Sequence, residues 1–411
     1  MELRTGYKQT EVGVIPEDWN ADRLSAYIEI KSGESPSKFT FMNEGLPYFK
    51  VEQLNNNNKY LRDTPYFIKT DNQVRRGSLI FPKRGASILL NKIRILENDS
   101  FMDTNLMTLT PKGTVNSEFL YYALTHIELW RIADTTSIPQ INNKHINPLI
   151  IALPKTKAEQ EAIAEALSDA DALIESLEKL VEKKRQIKQG TMQELLTGKK
   201  RLPEFSGEWI KSKFGDLGVC HRGVSYDPNV DLSESDTDAS FRLLRSNNVQ
   251  NGSIVYANMQ YVNARRVSCI QVLKANDVLI CMANGSKELV GKAARFLQND
   301  GYVYAYGAFM GCFRPNVAIN TAYVFYLFYT KDFFNHIGIL LAGSSINNLT
   351  SKSIEDFVIS IPSNFDEQEA IATILGDMDS ELSELETKLT KARQLKQGMM
   401  QALLTGKIRL V

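Results

Sequence analysis

The chain contains one long segment twice, and this duplication limits the folds that it can adopt. Residues 159–202 and 367–410 lie 208 positions apart and share about 26 of roughly 44 residues. Both copies end in LLTGK, one variable residue and RL. A fainter match at the same offset joins 137–154 to 345–362. Such a repeat predicts two equivalent halves, each with a divergent globular segment followed by a nearly invariant helical segment.

Apolar residues within each copy recur at alternating steps of four and three. The seam positions are Ile163, Leu167, Ala170, Ile174, Leu177 and Val181 in the first copy, and Ile371, Leu375, Met378, Leu382, Leu385 and Leu389 in the second. This heptad spacing predicts a helix of about 40 residues in each copy. We expect the two helices to pack as an antiparallel coiled coil, and a solvated bundle helix is the alternative. The glycine of each LLTGK predicts a helix C-cap.

The segment that follows the first copy reappears, in altered form, at the start of the chain. Residues 200–209, KRLPEFSGEW, resemble residues 10–19, TEVGVIPEDW. Joining the end of the second copy to the start of the chain would therefore restore the repeat. We expect the two termini to lie close together and the architecture to be pseudo-cyclic, with an internal pseudo-two-fold axis.

Each divergent segment combines short β-like runs with one apolar, aromatic helix candidate, over 117–133 in the first and 321–341 in the second. We expect these aromatic residues to form core. The mixture predicts an α+β fold, in which two globular α/β domains are separated by the two long helices. The predicted boundaries are 1–155 for the first globular domain, 156–200 for the first helical region, 201–364 for the second globular domain and 365–411 for the second helical region.

Composition narrows the class of protein. The four cysteines (Cys220, Cys269, Cys281 and Cys312) form no CxxC pair, which fits reduced thiols in a cytoplasm. No apolar run approaches the roughly 18 residues of a membrane span, and the start lacks the pattern of a secretory signal. We therefore expect a cytoplasmic protein. Lys+Arg and Asp+Glu balance at 48 each, which counts mildly against a nucleic-acid binder unless a partner supplies positive charge.

Polar loops at matched positions of the two globular segments carry side chains suited to DNA. Asn and Gln can recognise adenine, Arg and Lys can recognise guanine, and Ser can bind phosphate. Ordinary polar surface loops are the alternative. The candidate DNA-binding residues are Lys50, Lys83, Arg84, Ser87, Ser137, Gln140, Asn142, Asn143 and Lys144 in the first segment, and Arg245, Asn247, Asn248, Asn284, Ser286, Lys287, Ser344, Ser345, Asn347, Asn348 and Lys352 in the second.

The sequence shows no catalytic motif. It contains no Gly-rich P-loop and no GxGxxG, and its four histidines form no ligand-like cluster. Neither paired carboxylates nor a nucleophile motif is visible. We expect a binding protein that is not an enzyme, with no metal site and no cofactor of its own.

The duplicated motif resembles a known family. Its pattern, EQxAIA followed by RQxKQGxMQxLLTGKxRL, is similar to the conserved regions of the specificity (S) subunits of Type I restriction-modification enzymes. The GxIPxxW sequence at 13–19 also resembles that family, and the likeness spans the whole chain. It implies that each globular segment is a target recognition domain for one half of a bipartite, asymmetric DNA site. The paired helices would set the gap between the halves.

The resemblance also implies partners. Two methyltransferase (modification) subunits would dock on the conserved helices, restriction subunits would join the full complex, and no membrane would be involved. S-adenosylmethionine, ATP and Mg²⁺ would belong to those partner subunits. A non-DNA assembly scaffold, whose duplicated helices bind partner proteins, is the alternative from another class. The candidate partner-binding residues are Gln160, Arg185, Gln189, Met192, Gln193, Leu196, Gln368, Arg393, Gln397, Met400, Gln401 and Leu404.

Overall fold

The computed structural model describes residues 5–56, 58–342 and 347–410. It confirms the predicted mixture of helices and sheets. The chain forms two compact units: unit 1 comprises Met1–Lys179 and Thr387–Val411, and unit 2 comprises Leu180–Glu386. The unit boundaries fall inside the two long helices, so each of these helices contributes one end to each unit.

Unit 1 contains twelve of the described strands and two complete short helices. Its strands are β1 Tyr7–Thr10, β2 Gly13–Pro16, β3 Asn20–Arg23, β4 Ile28–Ser32, β5 Leu46–Phe49, β6 Tyr60–Leu61, β7 Phe67–Ile68, β8 Leu79–Pro82, β9 Arg94–Leu96, β10 Phe101–Met102, β11 Leu106–Pro111 and β12 Ile150–Leu153. Its helices are α1 Ser117–Ile127, α2 Asn143–Ile146 and the first part of α3, which runs over Lys157–Leu195.

Unit 2 follows a similar plan and also contains twelve of the described strands. Its strands are β13 Trp209–Lys213, β14 Gly218–Arg222, β15 Leu232–Ser233, β16 Ser240–Leu244, β17 Val249–Gln250, β18 Ser253–Ile254, β19 Gln260–Asn263, β20 Val278–Cys281, β21 Ala293–Arg295, β22 Tyr304–Tyr306, β23 Met310–Pro315 and β24 Val358–Pro362. Its helices are α4 Phe214–Leu217, α5 Thr321–Leu327, α6 Lys331–Ala342, α7 Ser351–Glu355 and the first part of α8, which runs over Phe365–Leu403.

The main sheets of the two units share the order of four strands, and unit 1 adds β6 at one edge. Unit 1 has the strand order β4-β11-β8-β9-β6, and unit 2 has β14-β23-β20-β21. In the central strand of each, Leu109 pairs with Ile30 and Leu79, and Phe313 pairs with Cys220 and Val278. Leu109 and Phe313 are both fully buried. The duplication therefore extends into the divergent segments, where the sequence shows it only faintly.

The long helices have the predicted length and seam. Helices α3 and α8 each contain 39 residues. In unit 1, Ile163 and Leu167 of α3 share a core with Leu403 near the end of α8. In unit 2, Leu195 near the end of α3 shares a core with Leu375 of α8. Because the start of one helix meets the end of the other in each unit, the helices pair antiparallel, as the heptad pattern predicted.

Equivalent polar contacts fix each long helix to its globular domain. The Tyr122 hydroxyl donates a hydrogen bond of 2.8 Å to Asp171 in unit 1, and the Tyr326 hydroxyl donates one of 2.8 Å to Asp379 in unit 2. Each of these aspartates also forms an ion pair with a lysine of the opposite long helix. The same carboxylate thus ties the globular domain to both helices.

The prediction of a single aromatic helix in each globular segment is wrong, because the helix is interrupted in both segments. In unit 1, α1 ends at Ile127, where Glu128 adopts φ 62° and the next backbone N–H donates to the Asn91 side chain at 3.1 Å. In unit 2, the buried Thr330 caps the start of α6, since its hydroxyl accepts from the Phe333 N–H at 3.3 Å. Tertiary contacts end these helices where periodicity alone would continue them.

The two LLTGK sequences end their helices as predicted, and the local backbone and packing require glycine in both. Gly198 and Gly406 adopt φ of 68° and 69°. A Cβ on Gly198 would lie 3.1 Å from the Trp209 ring, and one on Gly406 would lie 2.4 Å from Pro16. The Tyr7 hydroxyl also donates to the Gly406 carbonyl at 2.9 Å. The C-terminal and N-terminal segments therefore meet in unit 1, which confirms the expected closure.

Candidate nucleic-acid interface

In unit 1, the two polar loops predicted from the sequence lie side by side. We call residues 83–87 and 137–145 the unit 1 loop pair. The Gly85 N–H donates to the Pro139 carbonyl at 2.9 Å, and the Ile141 N–H donates to the Lys83 carbonyl at 2.8 Å. These backbone bonds place the two loops on one surface at the end of β8, although about 50 residues separate them in sequence.

Most candidate side chains of the unit 1 loop pair are accessible. The backbone of both loops is fixed by the bonds between them. The exposed candidates are Arg84, Ser137, Asn142, Asn143 and Lys144, and the half-buried candidates are Lys83, Ser87 and Gln140.

Lys50 and Lys83 lie near a buried carboxylate in unit 1. The Lys50 ammonium lies 3.4 Å from the centroid of the Tyr66 ring and 5.3 Å from that of Phe41, so aromatic faces hold this cation in place. Burial lowers the pKa of Lys83, and the charge of Asp103 partly opposes that shift. Burial also raises the pKa of Asp103, although a hydrogen bond from Asn105 and the Lys50 charge both oppose it. The carboxylate therefore reduces the positive field of this surface at neutral pH.

In unit 2, the matched loops also meet. We call residues 282–288 and 347–352 the unit 2 loop pair. The Leu349 N–H donates to the Met282 carbonyl at 2.8 Å, and the Asn347 side chain donates to the Gly285 carbonyl at 3.2 Å. Asn284, Ser286, Lys287, Asn347, Asn348 and Lys352 all belong to this pair, while Ser344 and Ser345 lie outside the described residues. Both units thus present the same kind of surface with different side chains.

Asn248 is a correction to the candidate set. It is buried, and its amide donates to the carbonyls of Val255 and Ala257 at 2.8 and 3.0 Å, while its oxygen accepts from the Arg245 N–H at 3.0 Å. The structure therefore assigns this side chain to the turn that carries Arg245. The neighbouring Asn247 is exposed and stays a candidate.

Sequence reasoning missed Arg222, which lies at the end of β14. Its guanidinium donates to the Leu349 carbonyl at 2.9 Å and to the Asn348 side-chain oxygen at 3.4 Å. It therefore adds a cation to the unit 2 loop pair and orients the Asn348 amide. The internal repeat contains these residues at matched positions, since CHRG at 220–223 aligns with IKSG at 30–33, and it could have drawn attention to Arg222.

Several candidate partner-binding residues have structural roles instead. Gln160 and Gln368 are buried, and their side-chain oxygens accept from the backbone N–H of Asn116 and Asn320 at 2.8 and 3.0 Å. Each amide nitrogen also donates to the carbonyl of the proline six residues earlier. Both ends of these amides are occupied within the chain, so they are not available to a partner. Their identity in the two copies follows from this equivalent internal bonding.

The apolar candidates of the motif also face inward. Met192 and Leu196 belong to the core of unit 2, and Leu404 belongs to the core of unit 1, with Met400 packed against it. The remaining candidates, Arg185, Gln189, Gln193, Arg393, Gln397 and Gln401, are exposed or half-buried. Of these, Arg185 and Arg393 form ion pairs between the long helices, so four glutamines are left as the accessible part of the shared motif.

Within residues 5–56, 58–342 and 347–410, none of the helices combines the length and apolar character needed to cross a bilayer. In the same part of the chain, no group of three or more His, Cys, Asp and Glu side chains is arranged to hold a metal ion. Cys220, Cys281 and Cys312 are buried free thiols, and Cys269 is an exposed one.

The chain matches the family model of the Type I restriction modification DNA specificity domain twice, over residues 16–189 and 207–395. Because these matches cover more than half of the chain, it belongs to that family. This agrees with the resemblance carried by the duplicated motif. The two matches also correspond to the two halves that the internal repeat defines.

Relatives of known class are similar over different shares of their length. The StySPI specificity subunit of Salmonella potsdam is 29% identical over 209 residues, which are 50% of this chain and 44% of that protein. The chain thus spans less than half of that relative. It is 28% identical to the EcoKI specificity subunit of Escherichia coli and spans 44% of that protein. The MjaVIII specificity subunit of Methanocaldococcus jannaschii is 25% identical over 96% of this chain and 94% of its own.

Solved structures show the same fold. A Type I restriction-modification S subunit from M. genitalium has a TM-score of 0.59 at 17% identity and covers 98% of both chains. A chain from a study of type I R-M complex assembly has a TM-score of 0.58 at 15% identity and covers 96% of this chain and 99% of its own. At this identity the likeness supports the architecture alone.

Proposed function

We propose that this chain is the DNA specificity subunit of a Type I restriction-modification complex. The main support is the two loop pairs. They lie at the same place on equivalent sheets, and their polar side chains differ between the two units. The unit 1 loop pair offers Arg84, Gln140 and Asn142, whereas the unit 2 loop pair offers Asn284 and asparagines at 347 and 348. Equivalent scaffolds with different base-recognising groups suit a site whose two halves differ in sequence.

The side-chain chemistry fits the major groove of DNA. Arginine and lysine can donate two hydrogen bonds to guanine, and asparagine and glutamine can pair with the edge of adenine. Serine hydroxyls and backbone N–H groups bind phosphates, which positions a protein on the duplex without adding sequence information. Each loop pair contains both kinds of group. The net charge of zero leaves a share of the phosphate contacts to partner subunits.

We infer that two methyltransferase subunits dock on the accessible part of the duplicated motif. Gly190 and Gly398 lie inside the long helices, and among the described residues no atom beyond the adjacent part of the same helix lies within 4 Å of a Cβ built on either one. A glycine within a helix costs about 1 kcal/mol relative to alanine. No contact among the described residues requires glycine at either position. A partner that approaches the helix backbone closely, in the same way in both copies, would require it.

Catalysis would then belong to the partners. S-adenosylmethionine for methyl transfer, and ATP with Mg²⁺ for the restriction subunits, would bind outside this chain, and the complex would act on cytoplasmic DNA. The long helices would set the gap between the two half-sites. Each additional residue in such a helix adds about 1.5 Å, so helix length translates directly into the spacing of the half-sites.

A loop exchange tests the assignment of recognition. The chain is co-expressed with its methyltransferase subunit, and methylated adenines are mapped across the host genome. A split motif of two short parts is the expected result. Replacing residues 81–87 and 137–145 by the loops of another recognition domain should change only one part. The assignment of these loops is wrong if both parts change or if neither does.

A further inference from the structure

A short turn in unit 2 lies against the unit 2 loop pair and was not among the residues suggested by the sequence. It comprises residues 307–309 and joins β22 to β23. The backbone N–H groups of Met282 and Ala283 both donate to the Phe309 carbonyl, at 2.9 and 3.1 Å. Met282 in turn accepts from Leu349 at 2.8 Å. The turn and both loops therefore form one continuous, backbone-bonded surface.

The side chain of Phe309 points away from the core. It is 70% exposed, whereas the next residue, Met310, is fully buried. Phe309 lies in the turn just before β23, and its carbonyl is held by the two backbone bonds while its ring is left exposed. Exposure alone does not distinguish it, because Val317 and Ile339 are at least as exposed. The position of Phe309 beside the unit 2 loop pair distinguishes it, because Val317 lies after β23 and Ile339 lies in α6.

The equivalent turn of unit 1 carries a different kind of side chain. There the Lys83 N–H donates to the Asn105 carbonyl at 2.8 Å, in the same relation to the unit 1 loop pair. One domain thus places an amide where the other places an aromatic ring. The position is fixed by the backbone of both domains and differs in its side chain, which is what a specificity-determining position requires.

The two loops that share this backbone-bonded surface with Phe309 carry polar side chains. Asn284 and Lys287 follow Met282 in the first loop, and Asn347 and Asn348 begin the second. These groups can form hydrogen bonds with guanine, adenine and cytosine edges. The 5-methyl group of thymine is the one major-groove feature that hydrogen bonds do not detect, and it is recognised by apolar contact.

We propose that Phe309 contacts the 5-methyl group of a thymine in the half-site that unit 2 recognises. This inference rests on the proposed function, because it assumes that the unit 2 loop pair faces the major groove. Phe309 is the largest and most exposed apolar side chain of the turn, whose other residues are Gly307 and the half-buried Ala308. The contact with thymine makes Phe309 a specificity-determining residue and adds nothing to methyl transfer or cleavage.

The test uses the complex of the full chain with its methyltransferase subunit, at fixed salt concentration. Each thymine of the unit 2 half-site is replaced in turn by deoxyuridine, which removes only the methyl group, and binding is measured by fluorescence anisotropy. One such position should weaken wild-type binding about fourfold, the loss expected for one buried methyl group. Phe309→Ala should bind the thymine site roughly tenfold more weakly. It should bind the thymine and deoxyuridine sites equally.

The controls separate a lost contact from a damaged domain. Val317→Ala, which removes a fully exposed side chain elsewhere in unit 2, should keep the wild-type preference for thymine over deoxyuridine. Phe309→Leu, which retains an apolar group, should keep part of that preference. Both Phe309 variants should assemble with the methyltransferase subunit and bind unrelated DNA like the wild type.

The inference is overturned if no thymine in that half-site responds to deoxyuridine, or if Phe309→Ala keeps the wild-type response. A half-site without thymine, or weaker binding by Phe309→Ala that does not depend on the methyl group, overturns it too. These results leave the proposed function intact if the wild-type complex still methylates a bipartite site. Failure to methylate any such site removes the proposed function itself.

Discussion

Removal of Arg409 should weaken unit 1 specifically, and removal of Arg201 should weaken unit 2. The Arg409 guanidinium forms a two-pronged ion pair with Glu159, a residue that is only 1% exposed, and a second one with Asp18 at 2.9 Å. Arg201 forms the equivalent pair with Glu367, with both contacts at 2.7 Å. Each glutamate also accepts a hydrogen bond from a tryptophan indole N–H.

The expected magnitude follows from the carboxylate that each substitution leaves behind. Removal of one partner of a buried ion pair costs about 3–5 kcal/mol, because the remaining charge stays buried without compensation. The Arg409 and Arg201 side chains are 27% and 29% exposed, so water can enter and partly solvate the glutamate. We therefore expect about 2 kcal/mol for Arg201→Ala. Arg409→Ala should cost about 0.5 kcal/mol more, because it also loses the exposed pair with Asp18.

The pH dependence provides a further check on Asp18. The hydrogen bond from Arg409 lowers the pKa of Asp18. The pKa of Arg409 is raised, mainly by its hydrogen bond to Glu159 and next by the one to Asp18. A carboxylate whose pKa is lowered on folding stabilises the fold above its unfolded pKa of about 3.9. That stabilisation disappears as pH falls through the folded pKa. The difference between Arg409→Ala and Arg201→Ala should therefore shrink as pH drops below about 4.

Hydrogen exchange measured by mass spectrometry resolves the two units separately. A loss of 2 kcal/mol should accelerate exchange about 30-fold in the most protected peptides of the affected unit. Arg185→Ala, which removes an exposed ion pair between the helices, is the matched control and should change exchange less than threefold. Equal acceleration in both units for either variant would refute the reasoning, and so would an Arg409→Ala effect no larger than that of the control.

Three more predictions use other parts of the structure. Asp103→Asn should stabilise unit 1 at pH 7.5, because burial raises the pKa of Asp103 and penalises its carboxylate. The gain should fall as pH drops toward the unfolded pKa of about 3.9, as thermal unfolding at a series of pH values would show. Gly190→Leu combined with Gly398→Leu should leave hydrogen exchange in both units intact but weaken methyltransferase docking at least tenfold in a calorimetric titration. Insertion of four residues into both α3 and α8 should lengthen the spacer by about 6 Å and widen the mapped gap by about one or two base pairs, and an unchanged gap would exclude the spacer role.

The features that could be predicted correctly from the sequence are those that occur in both copies of the repeat. The heptad seam, the LLTGK caps and the closure of the chain on itself could be inferred because two copies support each pattern. Gly406 illustrates this, since its role follows from Gly198, which occupies the same place in the other copy. Strong periodicity and local capping chemistry act within a few residues, so a sequence displays them directly.

The features that the sequence did not reveal depend on contacts between distant residues. The aromatic helix of unit 1 stops at Ile127 because Asn91, 36 residues away, bonds the backbone beyond it. Asn248 has the composition of a base-recognising residue, yet three hydrogen bonds assign it to a turn. Phe309 is part of an apolar stretch that is typical of a buried strand, and only the structure shows its ring exposed. Local residue type does not determine these outcomes.

The identity of the two motif copies therefore has two separable causes. Gln160 and its equivalent Gln368 are alike because each must bond the same two backbone groups of its own unit, and a lone chain would preserve them without any partner. Gln189 and Gly190 are exposed, as are their equivalents Gln397 and Gly398, and packing within the described part of the chain does not account for the glycines. A partner footprint inferred from sequence identity alone is thus too large. Substitutions at the buried positions test folding, and only those at the exposed positions test docking.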